Sequence, residues 1–187
     1  MARDEAPPFA RGETFYNGGT IDSSNLGGVN LEGKEFTVED TIYGTGCRVR
    51  LMVVRNTSAV NIQGKRLVQF DPAYLRQRAN GYANVANQYS FPSDELLGSN
   101  GVPVNDLFYV VVEGPAAILT TDAGNAVALG DQVVATTFAA STAVTDGRIT
   151  TIAATATGPD SNNAVGRAMS ACTVGQTAQA LVIGVRW

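Results

Sequence analysis

"FYVVVEGPAAILT", residues 108–120, is the stretch whose reading decides the fold of this chain. Two apolar runs frame a Glu-Gly-Pro step, and the first is dense in the β-branched and aromatic residues that favour strands. The pattern predicts strands over 107–113 and 116–121. Glu113 is then either a carboxyl tuned by its apolar neighbours for acid chemistry or the polar corner between two strands. As a corner, Gly114 relaxes the backbone, Pro115 ends the ladder on one edge, and Glu113 stays wet.

Working outward, the same pattern continues to the C-terminus. Further strands are predicted at 132–138, 147–153, 164–170 and 179–187, joined by Asp122-Ala123-Gly124-Asn125, Gly130-Asp131 and Asp146-Gly147. Asp-Gly readily takes the positive φ of a tight hairpin turn. Residues 154–163 read as a polar loop. Upstream, "CRVRLMVVRN" (47–56) is a strand, followed by a turn at Gly64-Lys65 and a strand over 66–70. Residues 71–106 carry no sustained period and read as a long central loop insertion, with a short helical turn at 93–97. Residues 1–45, dense in Gly, Asn, Ser and Asp, read as an irregular N-terminal arm. The expected fold is mainly β, a β-barrel or β-sandwich domain over 46–187 preceded by that arm.

Composition narrows the function. Charged residues make up only 16% of the 187, against about 25% in ordinary soluble domains. A surface of small polar and apolar groups is a common contact surface in assemblies. Histidine is absent, which removes Ser-His-Asp and Cys-His catalysis and His-ligated zinc. Cys47 and Cys172 form no CxxC and read as buried small apolar residues, not as a disulfide or a redox pair. No apolar run is long enough for a membrane span, and "MARDEAPPFARGETF" reads as neither signal peptide nor anchor, so the expected compartment is the cytosol or something built there.

Charge is segregated. Residues 1–40 hold eight acids and three bases, 41–78 hold seven bases and one acid, and 79–187 hold eight acids and three bases. The basic middle lacks the interleaved aromatics of a nucleic-acid groove, so neither nucleic acid nor membrane is an expected partner. An acidic partner, or the chain's own acidic arm, is the expected counterpart.

Motifs for chemistry are absent. "GTGCRV" (44–49) lacks the third glycine of a dinucleotide fold and leads into a strand, and no phosphate-loop or Ser-x-x-Lys pattern occurs. The acidic residues Glu32, Glu35, Glu39, Asp40 and Asp94-Glu95 read as solvated loops, without the aromatic platform of a glycosidase. No catalytic, cofactor-binding or metal-ligating residue is assigned, and no cofactor is expected. Isolated aromatics are the candidate contact residues: Phe9, Phe15 and Tyr16 in the arm, docking on this domain or on a neighbour, and Tyr74, Tyr82, Tyr89 and Phe91 in 72–92.

The ordered series "VNDLFYVVVEGPAAILTT", "AVALGDQVVA", "GRITTIAA" and "AVGRAMSACTVGQTAQALVIGV" resembles the decoration (cement) proteins of tailed-bacteriophage capsids. The likeness is best over 104–187, with 107–187 as the matching module. It implies a β-rich, non-enzymatic virion protein, commonly a homotrimer, on the outer capsid surface, bridging major capsid subunits. The arm is then expected to order on the capsid, so that deleting residues 1–20 weakens attachment and leaves the β-domain folded. The alternative is a receptor- or carbohydrate-binding head-fibre or adhesin module.

Overall fold

A computed structural model describes residues 6–16, 31–74, 77–83, 90–120, 126–135, 147–151, 164–173 and 175–182. The protein is mainly β, with its sheet curled strongly into a half-barrel. The strands are β1 (Phe15–Tyr16), β2 (Glu35–Glu39), β3 (Arg48–Asn56), β4 (Leu67–Phe70), β5 (Arg78–Tyr82), β6 (Ser90–Pro92), β7 (Asp106–Leu119), β8 (Gln132–Ala135), β9 (Ile149–Thr151), β10 (Gly166–Ala168) and β11 (Thr177–Val182). Their order is β6-β4-β5-β3-β7-β11-β10-β8-β9, with β1 on β7 and β2 on β3.

The opening stretch is one strand of 14 residues rather than two strands and a corner. Its first half pairs with β3 and its second half, from Gly114, pairs with β11. Gly114 has φ 109°, and a Cβ there would lie 2.8 Å from the carbonyl oxygen of Arg48. The β3 register shifts between Arg50 and Leu51, opposite this point. A bulge absorbs the bend, so the ladder continues where the sequence predicts a break. Pro115 sits opposite Leu181 of β11. Two and four residues on, the N–H groups of Ala117 and Leu119 leave the sheet for Glu95 and for the Lys65 carbonyl. By the two-residue period Pro115's missing N–H falls on that same edge, so proline costs no ladder bond.

β7 thereby serves two rings of strands. β3, β5, β4 and β6 pair in succession, and the Ser93↔Val110 bridge returns β6 to β7. Beyond Gly114, β11, β10, β8 and β9 pair in succession, and the Thr120↔Ile149 bridge returns β9 to the end of β7. The first ring is filled by large side chains, among them Met52, Leu67 and Phe108; the second is lined by Ala116, Ala168, Ala178 and Ala180 with Val133, Ile118 and Ile149. Small residues suit a narrow barrel whose facing walls approach closely.

Two predicted boundaries need correction. Residues 31–45 are not irregular: Glu35–Glu39 pairs in register with Arg48–Met52. The stretch 71–106 is not one loop, since it supplies β5 and β6. Its periodicity is hidden because β5, "RANGY", needs Gly81 at φ 147°, and the pairing of β4 with β5 shifts register at Gln69/Phe70. Residues 93–97 form a turn, with Leu97 N–H on the Asp94 carbonyl at 3.3 Å. In the Gly64-Lys65 turn it is Lys65, at φ 61°, that takes the left-handed conformation. The predicted strands over 132–138, 147–153 and 179–187 extend past the described residues, and the loop 154–163 lies outside them.

Candidate functional site

The N-terminal segment 6–16 lies on the first ring. Phe9 stacks on Tyr109 with ring centroids 4.3 Å apart, and the Tyr109 hydroxyl donates to the Phe9 carbonyl at 3.0 Å. Phe15 packs against the core 6.1 Å from Phe9, and Tyr16 pairs through its backbone with Asp106. Thr14 donates to the buried Asp106 carboxylate at 2.9 Å. Of the other aromatic candidates, Phe91 is buried edge-on to Phe70, and Tyr82 is half-buried, its hydroxyl bridging Gln63 N–H and the Asn61 carbonyl. Tyr74 is 42% exposed beneath the Arg78 guanidinium, 3.8 Å from ring centroid to Cζ. Tyr89 lies outside the described residues. The structure therefore does not gather these rings into one exposed cluster; they divide between core and surface.

Three carboxylates that read as solvated are instead drawn under this segment around one cation. Arg11, its side chain 12% exposed, donates Nη2–H to Asp94 Oδ1 at 2.8 Å and Nε–H to the same oxygen at 3.2 Å, and pairs through Nη1 with Asp40. Glu95 Oε1 lies 4.0 Å from Nη2. Gly12 N–H adds a 2.8 Å bond to Asp94 Oδ2, and the Tyr43 hydroxyl and the Ala117 N–H donate to Glu95 Oε2 at 2.6 and 2.7 Å. Burial opposes the charge of Arg11, but Asp94 and Asp40 more than offset it, and its pKa is raised. Burial, then the bond to Glu95, pushes the Tyr43 hydroxyl far above its ordinary range. The network had no periodic signal to betray it. The one hint was an isolated arginine in an acidic segment.

A second network answers the basic middle of the chain. Arg55, fully buried, pairs with Glu32 and donates to the Asn105 carbonyl at 2.6 Å, while Arg78 Nε stands 3.5 Å from Glu32. Arg50 lies between Glu35 at 3.6 Å and Glu113 at 3.0 Å. The acidic N-terminal region is thus the counterpart of these bases. Glu113 is half-exposed in a surface ion pair, where attraction is worth little. Cys47 and Cys172 are free and half-buried. Among the described residues no group of three or more His, Cys, Asp or Glu is arranged to hold a metal ion.

Exposed apolar side chains are scattered, Leu129 and Ile42 among them, and two further surface features are built differently. Loops 57–61 and 102–105 carry no charged residue and expose Val60 (49%) and Val104 (41%). Both are tied to the buried Asn56. Its Nδ2 donates to the carbonyls of Val60 and Val102 at 2.9 Å and of Pro103 at 3.2 Å, its Oδ1 accepts from Ser58, and its carbonyl accepts from Asn105 N–H. The other feature is an open cavity of about 320 Å³ at the seam of the two rings, walled by residues 63–66, 95, 97–99 and 119.

Fold and surface together define a mainly-β protein with two uncharged, hydrogen-bonded loops and buried ion networks. No protein-family model matches its sequence, and no curated protein matches it either.

Proposed function

We propose that this chain is a non-enzymatic structural protein of a tailed-phage virion. It binds the outer surface of the capsid as a homotrimer, bridges major capsid subunits and stabilises the shell; it is made in the host cytoplasm and resides on the particle. The sequence resemblance over 104–187 supports this reading.

The observation that carries it is the charge-free loop pair 57–61 and 102–105. Val60 and Val104 are exposed on backbone that Asn56 has already immobilised. An apolar contact made by pre-ordered loops loses little conformational entropy on binding. Repetition by symmetry then converts many modest contacts into firm attachment. The test uses bare shells of the virus that encodes the chain, mixed with the protein and sedimented. The wild type is expected to co-sediment and to raise the temperature at which shells fail, and Val60→Asp with Val104→Asp to lower attachment by about tenfold or more, since each substitution places a charge in an apolar contact. Wild-type protein that stays in the supernatant overturns the reading.

The cavity at the seam favours a second reading, a receptor- or carbohydrate-binding head-fibre or adhesin module. A glycan array separates the two.

A further inference from the structure

We infer that the face to which the loop pair attaches is uncharged: a protein surface of apolar groups and unionised hydrogen-bonding groups, held without ion pairs. The inference rests on the capsid reading and adds to it the chemistry of the surface that these loops meet.

Residues 56–64 and 96–105 contain no Asp, Glu, Lys or Arg. The fold brings the two segments together. Ile62 and Val102 exchange backbone bonds at 3.1 and 2.7 Å, and Asn61 Nδ2 donates to the Asn100 carbonyl at 3.1 Å. Asn56 ties Val60 to Val102 and Pro103 from below. Residues 59–61, 98–100 and 103–104 are exposed, so a charge-free surface is assembled from both segments.

The charges next to these segments are mostly turned inward. Arg55 and Lys65 flank the first in the chain, and Glu95 and Asp106 flank the second. Arg55 is 1% exposed and pairs with Glu32. Asp106 is 7% exposed and accepts from Thr14. The Glu95 side chain, 6% exposed, accepts from the Tyr43 hydroxyl and the Ala117 N–H. Of these four, Lys65 alone is exposed.

A carboxylate or ammonium on the partner would lose its hydration against this surface and meet no counter-charge, a cost that discriminates against charged partners. Apolar groups gain by covering Val60, Pro103 and Val104. Carbonyls, amides or hydroxyls on the partner match the side-chain amides of Asn61 and Asn100.

The experiment is sedimentation of the full chain with bare shells of the virus that encodes it. Sodium chloride is varied over about 0.05–1 M, where the screening length falls from more than about 10 Å to about 3 Å. Wild-type affinity is expected to change by less than about twofold across that range, and to tighten in ammonium sulfate, which strengthens apolar burial. Attachment through ion pairs would instead weaken by about tenfold or more, and that result overturns the inference.

The sign of charge gives the second readout. Ala59 is exposed on the first segment, so Ala59→Lys, Ala59→Asp and the size control Ala59→Gln are expected to keep wild-type stability in urea unfolding. Both charged variants are expected to bind about tenfold or more weakly than Ala59→Gln. A charged partner would favour one sign, so tighter binding by either charged variant overturns the inference. Steep release by salt, or a favoured sign, does so with the capsid reading intact, whereas wild type that stays in the supernatant at every salt concentration overturns both.

Discussion

Replacing Arg11 by alanine leaves Asp40, Asp94 and Glu95 beneath the N-terminal segment with no cation among them. Asp94 is fully buried and Asp40 nearly so, so neither carboxylate is rehydrated unless the segment lifts away. Asp94 retains Gly12 N–H and Leu96 N–H, and Asp40 retains Ile42 N–H. What disappears is a guanidinium making three charge-assisted bonds to two carboxylates. Removing one partner of a buried ion pair costs about 3–5 kcal/mol, and the total stability of a domain is about 5–15 kcal/mol. Arg11→Ala is therefore expected to lose about a fifth or more of the folding free energy.

Urea unfolding monitored by tyrosine fluorescence measures this directly, with the denaturant slope checking that the native state stays compact. Arg11→Lys is expected to fall between wild type and alanine, because an ammonium cannot reproduce the planar fork. A double-mutant cycle with Asp94→Asn isolates the pair, with an expected coupling of about 2 kcal/mol. Removal of residues 1–20 is expected to destabilise at least as much as Arg11→Ala, since it also takes Phe9 from Tyr109. That reverses the expectation that the β-domain is indifferent to the arm. A loss below about 1 kcal/mol for Arg11→Ala would refute the reasoning, for the carboxylates would then be solvated and the segment only loosely laid on.

Gly114→Ala is expected to cost about 1–3 kcal/mol in urea unfolding, from the positive φ and from a Cβ only 2.8 Å from the Arg48 carbonyl oxygen; a neutral substitution would mean that β7 does not bend there. Tyr109 is pushed up to about 12 by burial, eased by its bond to Phe9 and raised further by Asp94. The folded state therefore holds its proton longer than the unfolded chain: this contribution is intact below pH about 10 and is lost as pH rises towards 12, about 1–2 kcal/mol in all. Tyr43, raised in the same sense, adds its own decline, so Tyr109→Phe should flatten the slope without abolishing it; an unchanged slope refutes the assignment. Asn56→Ala is expected to cost about 2–4 kcal/mol, because it orphans carbonyls on both loops. Faster amide exchange at 57–61 and 102–105 is expected with it, and unchanged exchange there would show that Asn56 does not hold the loops.

Strand identity was legible wherever side chains alternate or β-branched residues accumulate, as in β3, β7 and β11. Legibility failed where geometry rests on backbone. A bend at "EGP" and a strand that bends on a bulge look alike in sequence, because glycine and proline serve both. What separates them is the partner strand, and only the fold shows that β11 takes over where β3 leaves. Charge segregation was legible in outline: an acidic segment beside a basic one implied pairing. Which acids would be buried was not, since Asp94 in "FPSDELL" has no local feature to distinguish it from a solvated aspartate. Its burial comes from Arg11, 83 residues away.

One signal in the sequence carried more than the strand it named. The run "LFYVVV", 107–112, does not alternate, and an antiparallel strand with one wet face should. All six residues are buried, so both faces of this half of β7 are covered. One face looks into the first ring. On the other, Tyr109 meets Phe9 at 4.3 Å and Phe36 at 6.5 Å, so the cover is the N-terminal segment together with β2. A segment spent on covering this chain's own core is not free to reach across a capsid surface. Of the two placements expected for Phe9 and Phe15, on this domain or on a neighbour, the structure shows the first. If the chain does bind a shell, the burden of contact passes to residues that nothing in the fold consumes, and Val60 and Val104 on their fixed loops meet that condition. The argument is checked by comparing two variants on the same shells. Val60→Asp with Val104→Asp should lose attachment while keeping wild-type stability, whereas Phe9→Ala should lose stability and, once corrected for the unfolded fraction, attach as wild type does.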